Sequence, residues 1–467
     1  MKVLLVKPYN ISDHIQPSLG LGYLANSIRC EHDVEILDCI KEKLNIEGLV
    51  KYVEKELPDV IGFQFYTYDF NFIKNAVEKI KRQFPAITVV AGGPHPSSCG
   101  TEILNQIEGI DFLFQGEAEK GFPDLLALLS NRVGQPLAEK NNDFSKIGGL
   151  IWRKSAVQSV CNPPVFSENV DALGFPAWDL IHPETYPEAQ HGAFFKNFPI
   201  APIITTRGCP FNCTFCAAHR TTGKKMRTRS AKNVVDEIEL LHHKFGIREI
   251  HIVDDNFTLN KDHAKSILKE LKQRGLKISW AVPNGIRLGT LDTELLELMK
   301  ETGCYLISVG IESGSDRILK QMKKSLTVDV IRKEINFIKS FGFEMAGFFI
   351  VGFPGETEDD INKTISFARE LPLVRANFFT FLPLPGTEAY TELEKSGELC
   401  NVDWAKFLFT SAPYVPRGLT RKKLKKLQRK AFLSFFMRPK IILKNMMAVK
   451  SFRHFKFLLR RAINWLT

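Results

Sequence analysis

Residues 208 to 216 read GCPFNCTFC and hold three cysteines, Cys209, Cys213 and Cys216, spaced C-x3-C-x2-C. The next cysteine, Cys304, comes 88 positions later, inside the apolar run CYLISVGI, where it reads as a core residue. What flanks the triplet decides the fold. PIITT precedes it, and REIHIV, KISWAV, CYLISVGI, EMAGFFIV and NFFTFLP follow, separated by stretches of helical length. One of these, 328 to 341, sets Val330, Ile331, Ile335, Ile338 and Phe341 in an apolar stripe beside the wetter Glu334. Six β/α units in a row predict a partial (β/α)6 barrel, whose chemistry belongs on the rim beyond the strand ends. Unusual residues do follow each strand: the cysteines, then Asp254-Asp255-Asn256, then Asn284 and Arg287, then Glu312-Ser313-Gly314, then Gly352 to Glu356, then Pro383 to Thr387.

A second alternating region precedes the first. Between residues 1 and 135, KVLLV, VEIL, DVIGFQF, ITVVAGG and DFLFQGEAE read as strands of an open parallel sheet with helices on both faces. Their carboxyl ends, KPYN, YTYD, GGPHPS and GEAE, are polar or glycine-rich, and ligands of such sheets bind beyond those ends. Residues 136 to 197 contain a hairpin-like GGLIWRKSAVQSV and a passage dotted with Pro163, Pro164, Pro176, Pro183 and Pro187, and read as a linker. The expected division is therefore 1–135, 136–197, 198–390 and a C-terminal helical tail, 391–467, an α/β fold throughout its first three parts.

Composition sets the outer limits. A chain of 467 residues with 44% hydrophobic and 25% charged residues is globular and long enough for several cores. The formal charge of +11 is unevenly placed: from Arg417 onward there are 16 Lys and Arg and no Asp or Glu, leaving 47 basic against 52 acidic residues in the remainder. The opening MKVLLVKPYN is too short an apolar run for a signal peptide, and no run of 18 apolar residues is present, so a cytoplasmic protein is expected. In that reducing setting the nine cysteines are expected to act as ligands, reactive groups or core residues rather than disulfides.

Three thiolates on one loop suit one inorganic core. A [4Fe-4S] cube used for electron transfer normally has a cysteine on each iron, so three ligands leave one iron open to a substrate. The competing reading is a structural Cys3His zinc site completed by His219. The spacing resembles the signature of the radical S-adenosylmethionine (radical SAM) superfamily. IHIVDDNFT, SVGIESGSDRIL, FIVGFPGETEDD and FLPLPGT resemble its second, fourth, fifth and sixth strand endings, in that order, over about residues 198 to 390. The resemblance implies a [4Fe-4S] cluster on Cys209, Cys213 and Cys216 whose fourth iron is chelated by S-adenosylmethionine, and reductive cleavage to a 5'-deoxyadenosyl radical. It also implies contacts to S-adenosylmethionine from Phe215, Asp255, Arg287, Glu312, Gly352 and Leu382, with Glu312 touching the cofactor and Gly352 letting its backbone approach the adenine. For Asp254 and Asp255 a plain helix-capping role stands beside this one.

The leading region resembles the cobalamin-binding (B12-binding) domain that precedes the barrel in B12-dependent radical SAM enzymes, on PSLGLGYLAN, VVAGGPHPS and DFLFQGEAE. That resemblance implies cobalamin held by Pro8, Thr67, Gly92, Gly93, Pro94, Gly116 and Glu117. The paired glycines contribute no side chain where a large planar ligand would approach. The Asp-x-His-x-x-Gly motif of the wider cobalamin fold is missing: Asp13 and His14 are adjacent and Gly20 lies too far on. His95 reads as a loop histidine rather than a metal ligand. Two other readings compete: GLGYLA mimics a dinucleotide fingerprint but does not sit between the first strand and a tight helix start, and Cys30, Cys39 and Cys99 could hold a second cluster, as in a tRNA methylthiotransferase-like enzyme, although their placement disagrees with that pattern.

In the tail, SFRHFKFLLRRAINWL sets Phe452, Phe455, Leu458, Leu459, Ala462, Ile463 and Leu466 in one stripe flanked by Arg453, Lys456, Arg460 and Arg461. Such a helix can lie on an anionic membrane surface, at the inner membrane face in this setting, or pack back on the barrel. The net acidic remainder weighs against nucleic acid. The expected function is a cobalamin-dependent radical SAM enzyme modifying an unactivated carbon of a small or lipid-like substrate, with C-methylation as the outcome and a flavodoxin- or ferredoxin-type electron donor. Radical cyclisation or oxidation, and a noncatalytic cobalamin and iron-sulfur sensor or electron carrier, are the alternatives; catalytic side chains are not identifiable from one sequence.

Overall fold

The computed structural model describes residues 1–10, 15–130, 143–155, 157–188, 195–399 and 402–466. The Asp13–His14 pair and the 135/136 boundary lie outside the described residues, as do the Arg453 and Leu466 side chains of the tail stripe.

The first sheet contains β1 (Lys2–Lys7), β2 (Asp33–Asp38), β3 (Val60–Gln64), β4 (Thr88–Gly92), β5 (Phe112–Phe114), β6 (Leu150–Arg153) and β7 (Ser159–Cys161). Its order is β2-β1-β3-β4-β5-β6-β7, with the first five strands parallel and the last two antiparallel. Strands buried on both faces need apolar residues at nearly every position, and Val3, Leu4, Leu5 and Val6 supply them in β1. One face packs on helices Ile46–Glu56 and Phe70–Gln83, the other on Leu19–Ile28 and Gly121–Ser130. The order reverses between β1 and β3, which is where such sheets open a crevice.

The linker expected over 136–197 is corrected in one part. The hairpin β6–β7 belongs to the first sheet, with Phe112 opposite Trp152 and Phe114 opposite Leu150. A three-residue β5 left at an edge would expose its unpaired backbone, and the hairpin covers it.

The second sheet starts with β8 (Ile200–Ile203), which runs into a short two-stranded neck, β9 (Thr206–Arg207) antiparallel to β10 (Arg227–Thr228). It continues with β11 (Glu249–Ile252), β12 (Ser279–Ile286), β13 (Cys304–Glu312), β14 (Glu344–Val351) and β15 (Arg375–Thr380). These six barrel strands are all parallel and lie side by side in chain order. The helix expected over 328–341 spans Val328–Ser340; Ile331, Ile335 and Ile338 are buried while Val330 is exposed.

The tail is not one separate unit. Helix Arg421–Phe436 buries Leu424, Leu427, Ala431 and Phe435 in the barrel core, and the Gln428 amide donates to the Phe378 carbonyl of β15 at 2.7 Å. A buried glutamine with its amide satisfied by a strand carbonyl pins this helix to the last strand. Helices Pro439–Met447 and Phe452–Leu466 follow.

Candidate active site

The cysteine loop leaves the barrel through the β9–β10 neck. Gly208 takes φ +93, and a Cβ there would lie 2.2 Å from the Lys225 carbonyl oxygen, so no other residue fits at the loop's entrance. The Cys209 N–H then donates to the Gly223 carbonyl, closing the base of the loop, and the Cys216 N–H to the Cys213 carbonyl, closing a turn between the second and third thiols. All three are half-buried and none forms a disulfide. Partial burial, then the Asp255 carboxylate and the neighbouring cysteines, hold the Cys209 and Cys216 thiols above the ordinary range. Ligation needs thiolates, so a cationic iron core would have to draw these thiols below the range that burial gives them. Among the described residues no three His, Cys, Asp or Glu side chains close on a point suited to a single metal ion, the three cysteines and His219 included. Cys304 is buried in β13, as expected of a core residue.

The acidic turn after β11 divides its labour. Asp254 is fully buried and accepts hydrogen bonds from the Thr205 N–H and from the Thr205 and Thr206 hydroxyls, tying β11 to the strand end that carries the cysteines. Burial lifts its carboxyl to about 6. Asp255 faces outward beside the cysteines and accepts from the Thr222 hydroxyl at 2.9 Å. Neither caps the next helix: Asn260 does, accepting from the His263 N–H.

The other expected cofactor contacts sit around the same rim. The Arg287 guanidinium lies 3.9 Å over the Phe211 ring of the cysteine loop and donates to the Lys324 carbonyl. Glu312 is buried, paired with Lys324 at 2.7 Å, and held at φ +66, a left-handed conformation a glutamate adopts only under constraint. Gly310 makes room for that pair, since a Cβ there would lie 2.5 Å from the Glu312 carboxylate. Gly352, at φ +81, gives its N–H to Glu356, and the space a Cβ would take is filled by Leu424 of helix Arg421–Phe436. Phe215 packs against the Phe353, Phe381 and Tyr414 cluster, and Leu382 is buried just past β15.

A cavity of about 400 Å³ opens between the carboxyl ends of the two sheets. From the first sheet, Gly92, Gly93, Pro94, Gly116 and Glu117 line it, while Pro8 and Thr67 do not. From the barrel side, Thr222, Asp254, Asp255 and Asn284 line it. Its lining mixes apolar residues such as Leu5, Phe63 and Val90 with polar ones such as Gln64, Asp69 and Asn284, a mix suited to a macrocycle edged with polar side groups. No histidine is among the described lining residues. His95 lies in helix Pro94–Cys99, not in a loop, and is buried against Phe65, Phe70 and Trp404 with its Nδ1 on Thr67. Gly93 has a reason of its own: at φ +115 a Cβ would come 3.2 Å from the Phe65 carbonyl oxygen. Cys30 is exposed at a helix end, Cys39 buried after β2 and Cys99 half-buried in helix Pro94–Cys99, on three different elements.

Several wall residues escaped the sequence reading. Tyr66 and Tyr68 stack with ring centroids 5.5 Å apart beside Asp69, in the YTYD strand ending whose polarity was the available signal. Burial, partly offset by the Tyr66 N–H and Asn10, lifts Asp69 to about 7. The neck is clamped to the first sheet by buried ion pairs: Arg227 to Glu117 at 2.7 Å and Arg207 to Glu119 at 2.7 Å. Although burial opposes it, the Arg227 hydrogen bonds and the Arg207 charge keep the Glu117 carboxyl below the usual range.

Two family models match, the Radical SAM superfamily over residues 203–368 and the B12 binding domain over residues 12–126. An uncharacterized methyltransferase of Pyrococcus horikoshii is 33% identical over all of this chain and 98% of its own length. The cytidylyl-2-hydroxyethylphosphonate methyltransferase of Streptomyces wedmorensis is 29% identical over 85% of this chain and 82% of its own. The radical S-adenosylmethionine methyltransferase TsrM of Kitasatospora setae, solved with cobalamin and a [4Fe-4S] cluster, shares the fold with a TM-score of 0.68 at 20% identity, over 85% of this chain and 78% of its own. The three cysteines themselves do not line the cavity, which reaches their loop through Thr221 and Thr222. With both family models matched in order along the chain and a relative matched from end to end, the chain belongs to the cobalamin-dependent radical SAM enzymes.

Proposed function

We propose that this chain transfers a methyl group to an unactivated carbon of an apolar small molecule or lipid-like substrate in the cavity between the two rims. The observation that carries this reading is the shared wall: residues expected to hold cobalamin and residues beside the cysteine loop line one space. When bound, the cluster and cobalamin supply the electron that opens S-adenosylmethionine and the methyl group that is passed on. The chain's part is to orient them. Asp254 and the neck ion pairs fix the loop against the first sheet, because a shift of an ångström between reacting atoms is costly in rate. The apolar part of the lining keeps water from a reactive radical, and the stacked tyrosines offer a flat wall. The Glu312–Lys324 pair, the Arg287 guanidinium and Asp255 are assigned to S-adenosylmethionine, and a low-potential flavodoxin- or ferredoxin-type protein is assigned as electron donor.

The test is anaerobic reconstitution with iron, sulfide and cobalamin quantified, then incubation with reductant, S-adenosylmethionine deuterated in its methyl group and a lipid or metabolite extract. Methylation adds the labelled group to a product and yields 5'-deoxyadenosine. A product formed by ring closure without label would turn the assignment to the cyclase reaction, and no 5'-deoxyadenosine at all would refute radical chemistry.

A further inference from the structure

The last helix, Phe452–Leu466, is mounted with four residues of its apolar stripe outward, while Leu458 and Ala462 are half-buried. At 3.6 residues per turn, Phe452, Phe455, Leu459 and Ile463 fall within one arc of about 80°, and all four are exposed, Phe452 at 72% and Ile463 at 50%. His454, on the opposite side, is the residue buried against the body, its ring 5.1 Å from Phe195, and Ser451 anchors the helix start to Glu188. An amphipathic helix on a globular protein normally shows the reverse arrangement. The preceding helix, Pro439–Met447, adds exposed Leu443, Met446 and Met447.

The charges carried by this helix share one sign. Lys456, which stands over the Phe452 ring at 4.7 Å, and Arg460 flank the stripe and are exposed, as are Lys440 and Lys450 nearby in the chain. No acidic residue occurs after Glu398 except Asp403, and none follows Arg417. A second copy of this helix would bring the same cations against it. A nucleic acid would answer the charge and leave the apolar stripe in water. An anionic bilayer answers both, by taking the stripe into the headgroup and acyl boundary while its phosphates meet the cations. We propose that the C-terminal helix is a surface anchor for an anionic lipid membrane. This inference is independent of the reaction assigned above. It holds the catalytic body at an interface without crossing it: among the described residues no helix is long and apolar enough to span a membrane.

Co-sedimentation of the full reconstituted chain with vesicles tests it. Binding to vesicles containing phosphatidylglycerol is expected to exceed binding to pure phosphatidylcholine vesicles by about tenfold or more, and to weaken with salt. Phe455→Glu/Leu459→Glu, and the milder Phe455→Ser/Leu459→Ser, should release the protein from the vesicles with iron content and 5'-deoxyadenosine formation unchanged. Lys456→Gln/Arg460→Gln should lower binding to the anionic vesicles only. Sedimentation of the serine variant equal to that of the native chain, failure of the native chain to bind anionic vesicles, or RNA binding that survives both stripe variants, would each overturn the proposal.

Discussion

The two parallel sheets obey the same rule and use opposite means. Both collect the residues assigned to cofactors beyond the carboxyl ends of their strands, where the backbone stops pairing and its groups become available. The barrel rim does so with charge and thiols: Cys209, Cys213, Cys216, Asp255, Arg287 and Glu312. The rim of the first sheet does so with shape, through Gly92, Gly93, Gly116 and the stacked Tyr66 and Tyr68. A covalently ligated group needs particular atoms, whereas a large ligand held by packing needs a surface. Substitutions on the barrel rim should therefore act all or none, and those on the first sheet should be graded.

The sharpest way to break this contrast is Cys213→Ala. It is expected to abolish cluster retention and 5'-deoxyadenosine formation together, measured by iron content and chromatography; retained cleavage would end the cluster assignment. Next comes the joint between the regions. Glu117→Ala strands Arg227 in a buried site, while Arg207 keeps Glu119, and removing one partner of such a pair costs about 3–5 kcal/mol. A lowered melting temperature is expected, together with loss of activity out of proportion to cobalamin content. The folded carboxyl sits below its unfolded range, so its contribution is present at neutral pH and is lost as pH falls through the folded value. Glu117→Gln should remove that acid dependence.

Gly93→Ala should be milder. Forcing a Cβ at φ +115 against the Phe65 backbone costs roughly 1–3 kcal/mol, read by thermal melting, with a partial loss of cobalamin and an unaffected cluster. The smallest effect belongs to Asp69→Asn. Burial raises this carboxyl from 3.8 to about 7, so between those values the folded chain keeps a proton the unfolded chain has released, and stability declines as pH rises. The variant should show a flatter melting temperature across that window; an unchanged profile would mean that Asp69 is not the group responsible.

The elements were largely legible from periodicity. All six barrel strands and the five parallel strands of the first sheet overlap the quoted runs, because a strand covered on both faces writes a continuous apolar stretch into the sequence, but the bounds differ: β8 and β15 each begin two residues before their runs, and β12 continues to Ile286 past KISWAV. The hairpin β6–β7 was visible as a hairpin, but not its attachment to β5, since which edge a hairpin pairs with depends on contacts remote in the chain. The cysteine loop was equally plain, since its ligands lie within eight residues. Glu117 was picked out for a cofactor, while its pairing with Arg227, 110 positions away, left no local trace. The same holds for Leu424 against Gly352, and for Asn260 rather than Asp254 or Asp255 as the helix cap.

From residue order alone come the strand pattern, the thiolate triplet, the absence of acid from the tail and the stripe of its last helix, because each rests on neighbours a few positions apart. Folding in three dimensions settles which way that stripe faces, which carboxylates are spent on holding the neck, and that the two rims enclose one cavity. Those outcomes depend on burial and on pairings between distant segments, and neither is expressed in local spacing.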